Sequence, residues 1–227
     1  MTIAEHRAIE AHMLNMMDDS AHDAQHVYRV LGNALDIARY EGGADGDILT
    51  AACLLHDIAR GLQFADPAVD HALRGGQMAE TFLLGRGWEA ARAAHVRACI
   101  ETHRYRTSRP PESLEARILF DADKLDVTGA MGIARSLMYE GITGEPLYRL
   151  DASGRVDLTP DDADVTSFFQ EYAFKLERLY DGFYTQRART LAEPRRAAAK
   201  AFRDALLDEI NTALHGLEAV NKEEERP

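Results

Sequence analysis

The sequence predicts an all-helical fold. Apolar residues recur at helical spacing through most of the 227 positions. Residues that cap helices precede several of these apolar stretches, and glycine or proline follows them. The simplest organisation is one domain over residues 1–227, with its core motifs in residues 20–140 and a C-terminal helical pair in about residues 164–215. A short β-hairpin around residues 147–158 is the one piece of β-structure that the sequence suggests.

Capping residues predict where the first two helices begin. Thr2 and Glu5 have the spacing of a capping box, which predicts a first helix that runs to about residue 17. Ser20 and Asp23 predict the start of a second helix, whose apolar positions form one stripe. A pair of glycines then ends it, because glycine tolerates the left-handed conformation that often follows a helix.

The third predicted helix, residues 48–58, reads ILTAACLLHDI and is apolar on nearly every face. A helix of this kind is buried. Its last turn nevertheless carries His56 and Asp57, and burying ionisable groups costs several kcal/mol unless a partner or a metal compensates. A core histidine beside an aspartate that bonds to backbone explains this pair alone as well as a metal does.

Further helices are predicted to the end of the chain, separated by glycine and proline. They cover about residues 70–84, 89–104, 114–126, 128–140, 164–181 and 187–215. Pro194 predicts an interruption of the last of these helices, because proline lacks the backbone N–H that a helix interior needs.

The charge balance excludes one class of partner. The formal net charge of −12 repels a phosphate polymer, so we expect no binding to DNA or RNA. A small anionic substrate is compatible with this charge if a cation inside the site offsets the repulsion. The sequence shows neither a secretory signal nor an apolar run of the ~20 residues that span a bilayer. We therefore expect a cytoplasmic protein without a membrane partner.

Residues 121–126, DADKLD, crowd three carboxylates and one lysine into a helix flanked by apolar residues. Such carboxylates repel each other unless a cation lies among them. A second unusual segment places His22 and His26 four positions apart, on one face of a helix, and Arg29 follows on nearly the same face. Both segments favour a bound divalent metal.

Adjacent residues of a helix point about 100° apart. His56 and Asp57 can therefore share one metal only in a crevice at a helix end, with further ligands from the helices that carry His26 and Asp123. Two imidazoles and two carboxylates suit manganese, iron, cobalt, nickel or zinc better than calcium. The sequence does not choose among these metals, and magnesium also stays open.

Three segments in this order, HDAQHVYRV, ACLLHDIAR and ILFDADKLDVTGAMGIAR, resemble the HD-domain metal-dependent phosphohydrolase superfamily. They are most similar to its small bacterial branch, often called YedJ- or YpgQ-like, and the resemblance covers about residues 20–140. It implies a helical bundle and a phosphate-contacting role for Lys124. It also implies the metal ligands His26, His56, Asp57 and Asp123.

Other candidate residues surround this set. Asp57 and Lys124 are the candidate catalytic residues. Candidate substrate-binding residues are Arg29, Arg60, His71 and His103, of which the two histidines could instead supply a second metal site or face water at helix ends. Candidate partners that orient Lys124 or a ligand are His22, Asp121 and Asp126.

The resemblance implies hydrolysis of a phosphoester or phosphoanhydride in a nucleotide-like molecule, with nucleoside triphosphates cut to the monophosphate and pyrophosphate. Two other functions stay open. An HD-fold di-iron oxygenase would use the same ligands with extra histidines, and a non-catalytic ligand-binding module would keep the fold alone. A homodimer is compatible with the sequence.

Overall fold

The computed structural model describes residues 1–17, 24–104, 109–159 and 167–224, with side chains up to residue 216. The chain divides into two compact units. One comprises Met1–Asp126 and Phe183–Thr190, and the other comprises Val127–Gly182 and Leu191–Pro227. The organisation as a single domain stays a prediction. Among the described residues, no helix has both the length and the apolar character that crossing a bilayer requires.

Helices account for most of the first unit. Up to Asp126 its described residues form α1 (Ile3–Met16), α2 (Ala24–Glu41), α3 (Gly46–Leu55), α4 (Arg60–Ala65), α5 (His71–Gly85), α6 (Ala90–Glu101) and α7 (Leu114–Asp126). Thr2 caps α1 by accepting a hydrogen bond from the Glu5 backbone N–H at 3.1 Å, as the capping box predicts. The predicted cap at Ser20 lies outside the described residues.

Helix α3 lies at the centre of the first unit. It contacts α1, α2, α5, α6 and α7, and its residues from Leu49 to Leu55 are almost all fully buried. The helix ends at Leu55, three residues before the predicted end, so His56 and Asp57 lie in the turn between α3 and α4. The sequence pattern missed this end because the apolar run continues to Ile58, which is buried although it lies outside the helix.

Helices α5 and α6 run antiparallel and approach each other closely at Gly76. A Cβ atom at this position would lie 2.8 Å from Cγ of Glu101 and 3.2 Å from the carbonyl oxygen of Arg97. A residue without a side chain is therefore needed here. The packing brings the first residue of α5, His71, next to the residues that follow the C-terminus of α6.

The second unit contains α8 (Gly129–Thr143) and α9 (Phe168–Glu171), and the chain continues from α9 through a π-helical turn, Tyr172–Leu176, and a 3₁₀ turn, Arg178–Asp181. Its core is rich in aromatic side chains, among them Phe168, Phe169 and Tyr172. The predicted hairpin is reduced to one antiparallel bridge between Leu150 and Val156.

The last helix, α10 (Gln186–Glu224), is 39 residues long and contains Pro194. The predicted interruption at this proline is wrong, because the missing N–H removes one backbone hydrogen bond while the neighbouring turns continue. The predicted helix 164–181 begins in residues outside the description, and its described part, 168–181, is helical with the π-helical turn inside it. The all-helical fold class is confirmed.

Candidate metal centre

Three elements bring the predicted ligands together. His26 lies in the first turn of α2, Asp123 in the last turn of α7, and His56 and Asp57 in the turn after α3. Nε2 of His26 is 3.4 Å from Nε2 of His56 and 3.4 Å from Oδ1 of Asp123. Oδ2 of Asp57 lies 3.7 Å from the Nε2 atoms of both histidines. His26, His56 and Asp123 could hold one metal ion, and Asp57 faces the same space.

A second group of potential ligands lies on the other side of Asp57. Nε2 of His71 is 3.5 Å and Nε2 of His103 is 3.8 Å from Oδ1 of Asp57. The rings of these two histidines are 5.4 Å apart, which follows from the antiparallel packing of α5 and α6. Asp57, His71 and His103 could hold a metal ion as well. The two oxygens of Asp57 thus face two different groups.

Two of the four histidines have their tautomer fixed by backbone. Nδ1 of His56 lies 2.8 Å from the carbonyl of Cys53, and Nδ1 of His103 lies 2.6 Å from the carbonyl of Ile100. A carbonyl can only accept, so Nδ1 carries the proton and donates it in both rings. The last carbonyls of a helix have no partner within the helix, which makes them available for these bonds. In the neutral rings, the Nε2 lone pairs then point at Asp57.

The other two histidines repeat this arrangement with side-chain acceptors. Nδ1 of His26 is 2.7 Å from Oδ2 of Asp126, and Nδ1 of His71 is 2.7 Å from Oε1 of Gln63. Four rings therefore direct Nε2 towards the carboxylate of Asp57. Lone pairs that face a carboxylate repel it unless a cation lies between them, and metal-binding histidines almost always donate their other N–H to an oxygen in this way. The donor set fits a metal.

The charges of the site agree with this fit. Burial opposes ionisation of Asp57, but the neighbouring histidines His56, His103 and His26 outweigh burial and hold its pKa far below the ordinary value. The pKa of Asp123 is likewise well below its ordinary value, with burial opposed by Lys124 and His26. Both carboxylates are therefore negative at neutral pH.

The histidines divide into neutral and charged forms. Burial lowers the pKa of His71 to about 3 and that of His103 to about 4, so both rings are neutral near pH 7. Burial also opposes the charged form of His26, but hydrogen bonds to Asp123 and Asp126 raise its pKa to about 9. In the absence of an ion, the proton on His26 supplies part of the positive charge that the carboxylates require.

The family follows from sequence comparison. A family model described as HD domain matches residues 23–128. YpgQ of Bacillus subtilis (strain 168) is 32% identical over 183 residues, which cover 78% of this chain and 79% of that protein. This chain belongs to the HD-domain family. The resemblance to the YpgQ-like branch that its motifs carry is confirmed.

Solved HD-domain structures support the same fold. The crystal structure of Bacillus subtilis YpgQ in complex with ADP matches with a TM-score of 0.70 and 28% identity, over 90% of this chain and 97% of that chain. An HD-superfamily hydrolase from Bacillus thuringiensis matches with a TM-score of 0.70 and 27% identity, over 92% and 97%. One from an uncultured Thermotogales bacterium gives 0.60 and 30%, over 91% and 92%.

Lys124 of this HD-domain chain is buried beside a candidate ligand. Its Nζ donates to Oδ2 of Asp123 at 2.8 Å and to the carbonyl of His103 at 3.3 Å. The ammonium group also lies 5.1 Å from the centre of the Phe120 ring. Lys124 thus neutralises a carboxylate at the edge of the site and lies within reach of both ligand groups.

Arg29 and Asp126 form one hydrogen-bonded chain with His26. Nε of Arg29 donates to Oδ1 of Asp126 at 2.6 Å and its Nη2 donates to Oδ2 at 3.0 Å. The same Oδ2 accepts from Nδ1 of His26. Asp126 therefore contacts the candidate ligand His26 directly, and its orienting role stays a prediction. Arg29 is expected from the sequence to bind substrate, but its described hydrogen bonds direct its guanidinium at Asp126.

Asp121 lies apart from the candidate ligands. Its carboxylate accepts hydrogen bonds from the backbone of Tyr184 and from the backbone and hydroxyl of Thr185, at 2.6–3.1 Å. Burial raises its pKa despite these bonds. The described contacts thus attach the segment before α10 to α7, and none of them orients Lys124 or a ligand. His22 lies outside the described residues.

Arg60 and Gln63, both on α4, lie against His71. Nη1 of Arg60 is 3.0 Å from both ring nitrogens of His71. An atom equally close to both cannot lie along either lone pair, so the guanidinium lies over the ring face. The sequence interpretation missed Gln63. Its spacing of three residues from Arg60, which puts both on one helix face, is the signal that could have found it.

Proposed function

We propose that this protein is a metal-dependent phosphohydrolase that cleaves a phosphoester or phosphoanhydride of a nucleotide. One observation carries the proposal: four histidine Nε2 atoms surround the two oxygens of a single buried carboxylate, Asp57. So many ring nitrogens buried around an anion require positive charge between them, which the proton on His26 supplies at one ring and metal ions would supply at all four. Membership of a family that contains hydrolases supports the reaction class.

His26, His56, Asp57 and Asp123 would hold the first divalent ion. When bound, such an ion polarises a phosphoryl oxygen and lowers the pKa of a coordinated water to near neutrality. The mixed nitrogen and oxygen ligands suit manganese, iron, cobalt, nickel or zinc, and magnesium is included in the test because it accompanies many phosphate substrates.

Asp57, His71 and His103 would hold a second ion. The sequence suggested that the two histidines contact substrate, but a neutral ring whose Nδ1–H is already donated has no proton on Nε2 to offer a phosphate oxygen. The same nitrogen is a good metal ligand. Asp57 would then bridge the two ions, an arrangement suited to hydrolases that clamp a phosphoryl group between two metals.

The chain's own cations complete the phosphate site. Asp57 and Asp123 contribute two negative charges, so the substrate's phosphates need positive charge beyond that of one divalent ion. Lys124 is placed to neutralise charge that develops on the phosphoryl group, and Arg60 to contact a phosphate beside His71. We assign Arg29 a different role from the one its sequence position suggested: it holds Asp126, and through Asp126 it orients His26.

A nucleotide is the proposed substrate class. The related YpgQ was crystallised in complex with ADP, and the acidic surface of this chain disfavours a nucleic-acid polymer. Within this class we propose a nucleoside triphosphate, with water added across the bond between its α- and β-phosphates to give the monophosphate and pyrophosphate.

The test begins with protein stripped of metal by a chelator and reloaded with one metal at a time. Each form is incubated with a panel of ribo- and deoxyribonucleoside mono-, di- and triphosphates, and products are separated by ion-exchange chromatography. We expect turnover that depends on metal and yields pyrophosphate. Absence of any hydrolysis product, phosphate or pyrophosphate, from the whole panel with fully loaded protein would contradict the proposal.

A second candidate function has a specific observation in its favour. Four histidines and two aspartates are also a ligand set for two iron ions, as an HD-fold di-iron oxygenase requires. Iron-loaded protein that consumes oxygen in the presence of a small organic substrate, and that leaves nucleotides intact, would support this alternative instead.

A further inference from the structure

His71 differs from the other candidate ligands in how its ring is held. It is 2% exposed and is the first residue of α5. His56 and His103 follow helices and donate Nδ1–H to carbonyls three residues earlier, at 2.8 and 2.6 Å. A residue that begins a helix has no C-terminal helix carbonyl behind it, because the backbone groups without intrahelical partners at that end are N–H donors. The ring of His71 needs an acceptor from another element.

Helix α4 supplies this acceptor. Oε1 of Gln63 lies 2.7 Å from Nδ1 of His71. The orientation of the amide is also determined, because Nη1 of Arg60 lies 3.3 Å from the same Oε1. A rotated amide would place its NH₂ group against a guanidinium and against a ring N–H, which are all donors. Gln63 therefore presents oxygen to both neighbours.

This contact determines which ring nitrogen carries the proton. With Nδ1–H donated to Gln63, the neutral ring of His71 keeps an unprotonated Nε2, and that atom lies 3.5 Å from Oδ1 of Asp57. Arg60 of the same helix as Gln63 packs against this ring, with Nη1 3.0 Å from both ring nitrogens. The ring has one orientation in which both nitrogens meet suitable partners.

We propose that Gln63 is a positioning residue that holds His71 in the Nδ1–H tautomer, with Nε2 directed at the ion shared with Asp57 and His103. This inference rests on the second ion of the proposed function. Gln63 itself touches neither the ion nor the substrate. Oxygen partners that orient a metal-binding histidine typically change metal affinity by about 10–100-fold when they are removed.

The experiment compares binding isotherms of manganese for the metal-stripped protein and three variants. Gln63→Leu removes the acceptor and should weaken the second equivalent by about 10–100-fold while the first equivalent stays unchanged. Gln63→Glu keeps an oxygen acceptor at the same chain length and should retain both equivalents. Gln77→Leu makes the same substitution at an exposed position of α5 and is the matched control.

Electron paramagnetic resonance of the manganese-loaded proteins gives an independent readout. Two neighbouring manganese ions interact magnetically. At one manganese concentration, chosen to be limiting for the weakened second equivalent, Gln63→Leu should show a single ion. Wild type, Gln63→Glu and Gln77→Leu should show a coupled pair at the same concentration. Gln63 is half-buried, so leucine should be tolerated. If that variant still unfolds, Gln63→Asn withdraws the oxygen by one methylene and carries the same expectation.

The outcomes separate this inference from the proposed function. If folded Gln63→Leu binds two equivalents of manganese with unchanged affinity, the role of Gln63 is overturned and the two-ion hydrolase stays intact. Loss of both equivalents together would also overturn it, because Gln63 would then support the whole site rather than His71. If wild type binds only one ion and still hydrolyses nucleotides, the proposed second ion is wrong and this inference fails with it. The hydrolase assignment then stands.

Discussion

Gly76 of α5 lies against Glu101 of α6 so closely that a Cβ atom on Gly76 would be 2.8 Å from Cγ of Glu101. Glu101 cannot simply move aside, because it accepts from Nε of Arg97 at 2.6 Å and Arg97 also donates to Glu80 at 2.9 Å. The close packing of these two helices keeps His71 and His103 together, so a small residue at a distance from the site supports the second group of ligands.

Gly76→Ala should therefore weaken both the fold and the metal site. Overpacking of this kind typically costs about 1–3 kcal/mol, and separation of α5 from α6 moves His71 away from His103. The thermal unfolding temperature and the metal stoichiometry should both decrease. Gly32→Ala on α2 is the control, since its Cβ would meet open space, and it should stabilise by about 0.5–1 kcal/mol. Equal effects of the two variants would contradict the packing argument.

The second prediction concerns the first group of ligands. His56→Ala and Asp123→Ala should each lose metal and activity and keep most of the helicity, because a metal with one ligand fewer is weakly held. Elemental analysis, nucleotide turnover and circular dichroism measure the three quantities. The exposed His215 of α10 provides the control variant His215→Ala. Either ligand variant with full activity at limiting metal would remove that residue from the site.

The third prediction separates two roles of Lys124. If its ammonium neutralises charge on the phosphoryl group, Lys124→Ala should lower kcat by about a hundredfold, as loss of comparable electrostatic groups does, with metal content unchanged. Because Nζ is only 2.8 Å from Oδ2 of Asp123, a purely structural role would instead appear as loss of metal together with activity. Lys175→Ala, which breaks an exposed pair with Glu171 in the second unit, is the control.

The fourth prediction concerns stability and pH. Glu140 of α8 is 4% exposed, and its Oε1 has no hydrogen-bond partner among the described residues. Burial, with the charges of Glu145 and Glu171, raises its pKa from 4.5 to about 7. The folded state therefore holds this proton more tightly than the unfolded state. The resulting stabilisation is complete below pH 4.5 and is lost as the pH rises through about 7.

Glu140→Gln should remove this dependence, because the amide stays neutral at every pH. We expect a higher Tm than wild type at pH 8 and little difference at pH 4.5, measured by thermal unfolding across this range. Glu209→Gln, at an exposed position of α10, is the control and should follow wild type. A variant that loses Tm equally at both pH values would show that Glu140 contributes packing rather than a titrating charge.

Local patterns predicted much of this structure. Helix α7 has the predicted bounds, 114–126. His26, His56, Asp57 and Asp123 lie together as expected, since ionisable groups among apolar residues can be recognised without knowledge of the packing. The roles of these four residues as ligands stay a prediction.

Contacts between distant segments could not be predicted from local patterns. Asp121 bonds to Thr185, which lies 64 positions away, and nothing near either residue indicates the other. Arg29 pairs with Asp126 because α2 packs against α7, whereas its sequence neighbours suggested only a cation facing a site. The proximity of His71 and His103 depends on the close approach at Gly76, which is a property of two helices and not of either sequence alone.

The bonds from His56 and His103 to the carbonyls of Cys53 and Ile100 couple each ligand to the last turn of its helix. If that turn frays, the carbonyl moves and the ring loses the partner that fixes its orientation. Ion binding and fraying therefore oppose each other: a bound ion should slow amide hydrogen exchange at the C-terminal ends of α3 and α6, and easier fraying of these ends should speed ion release.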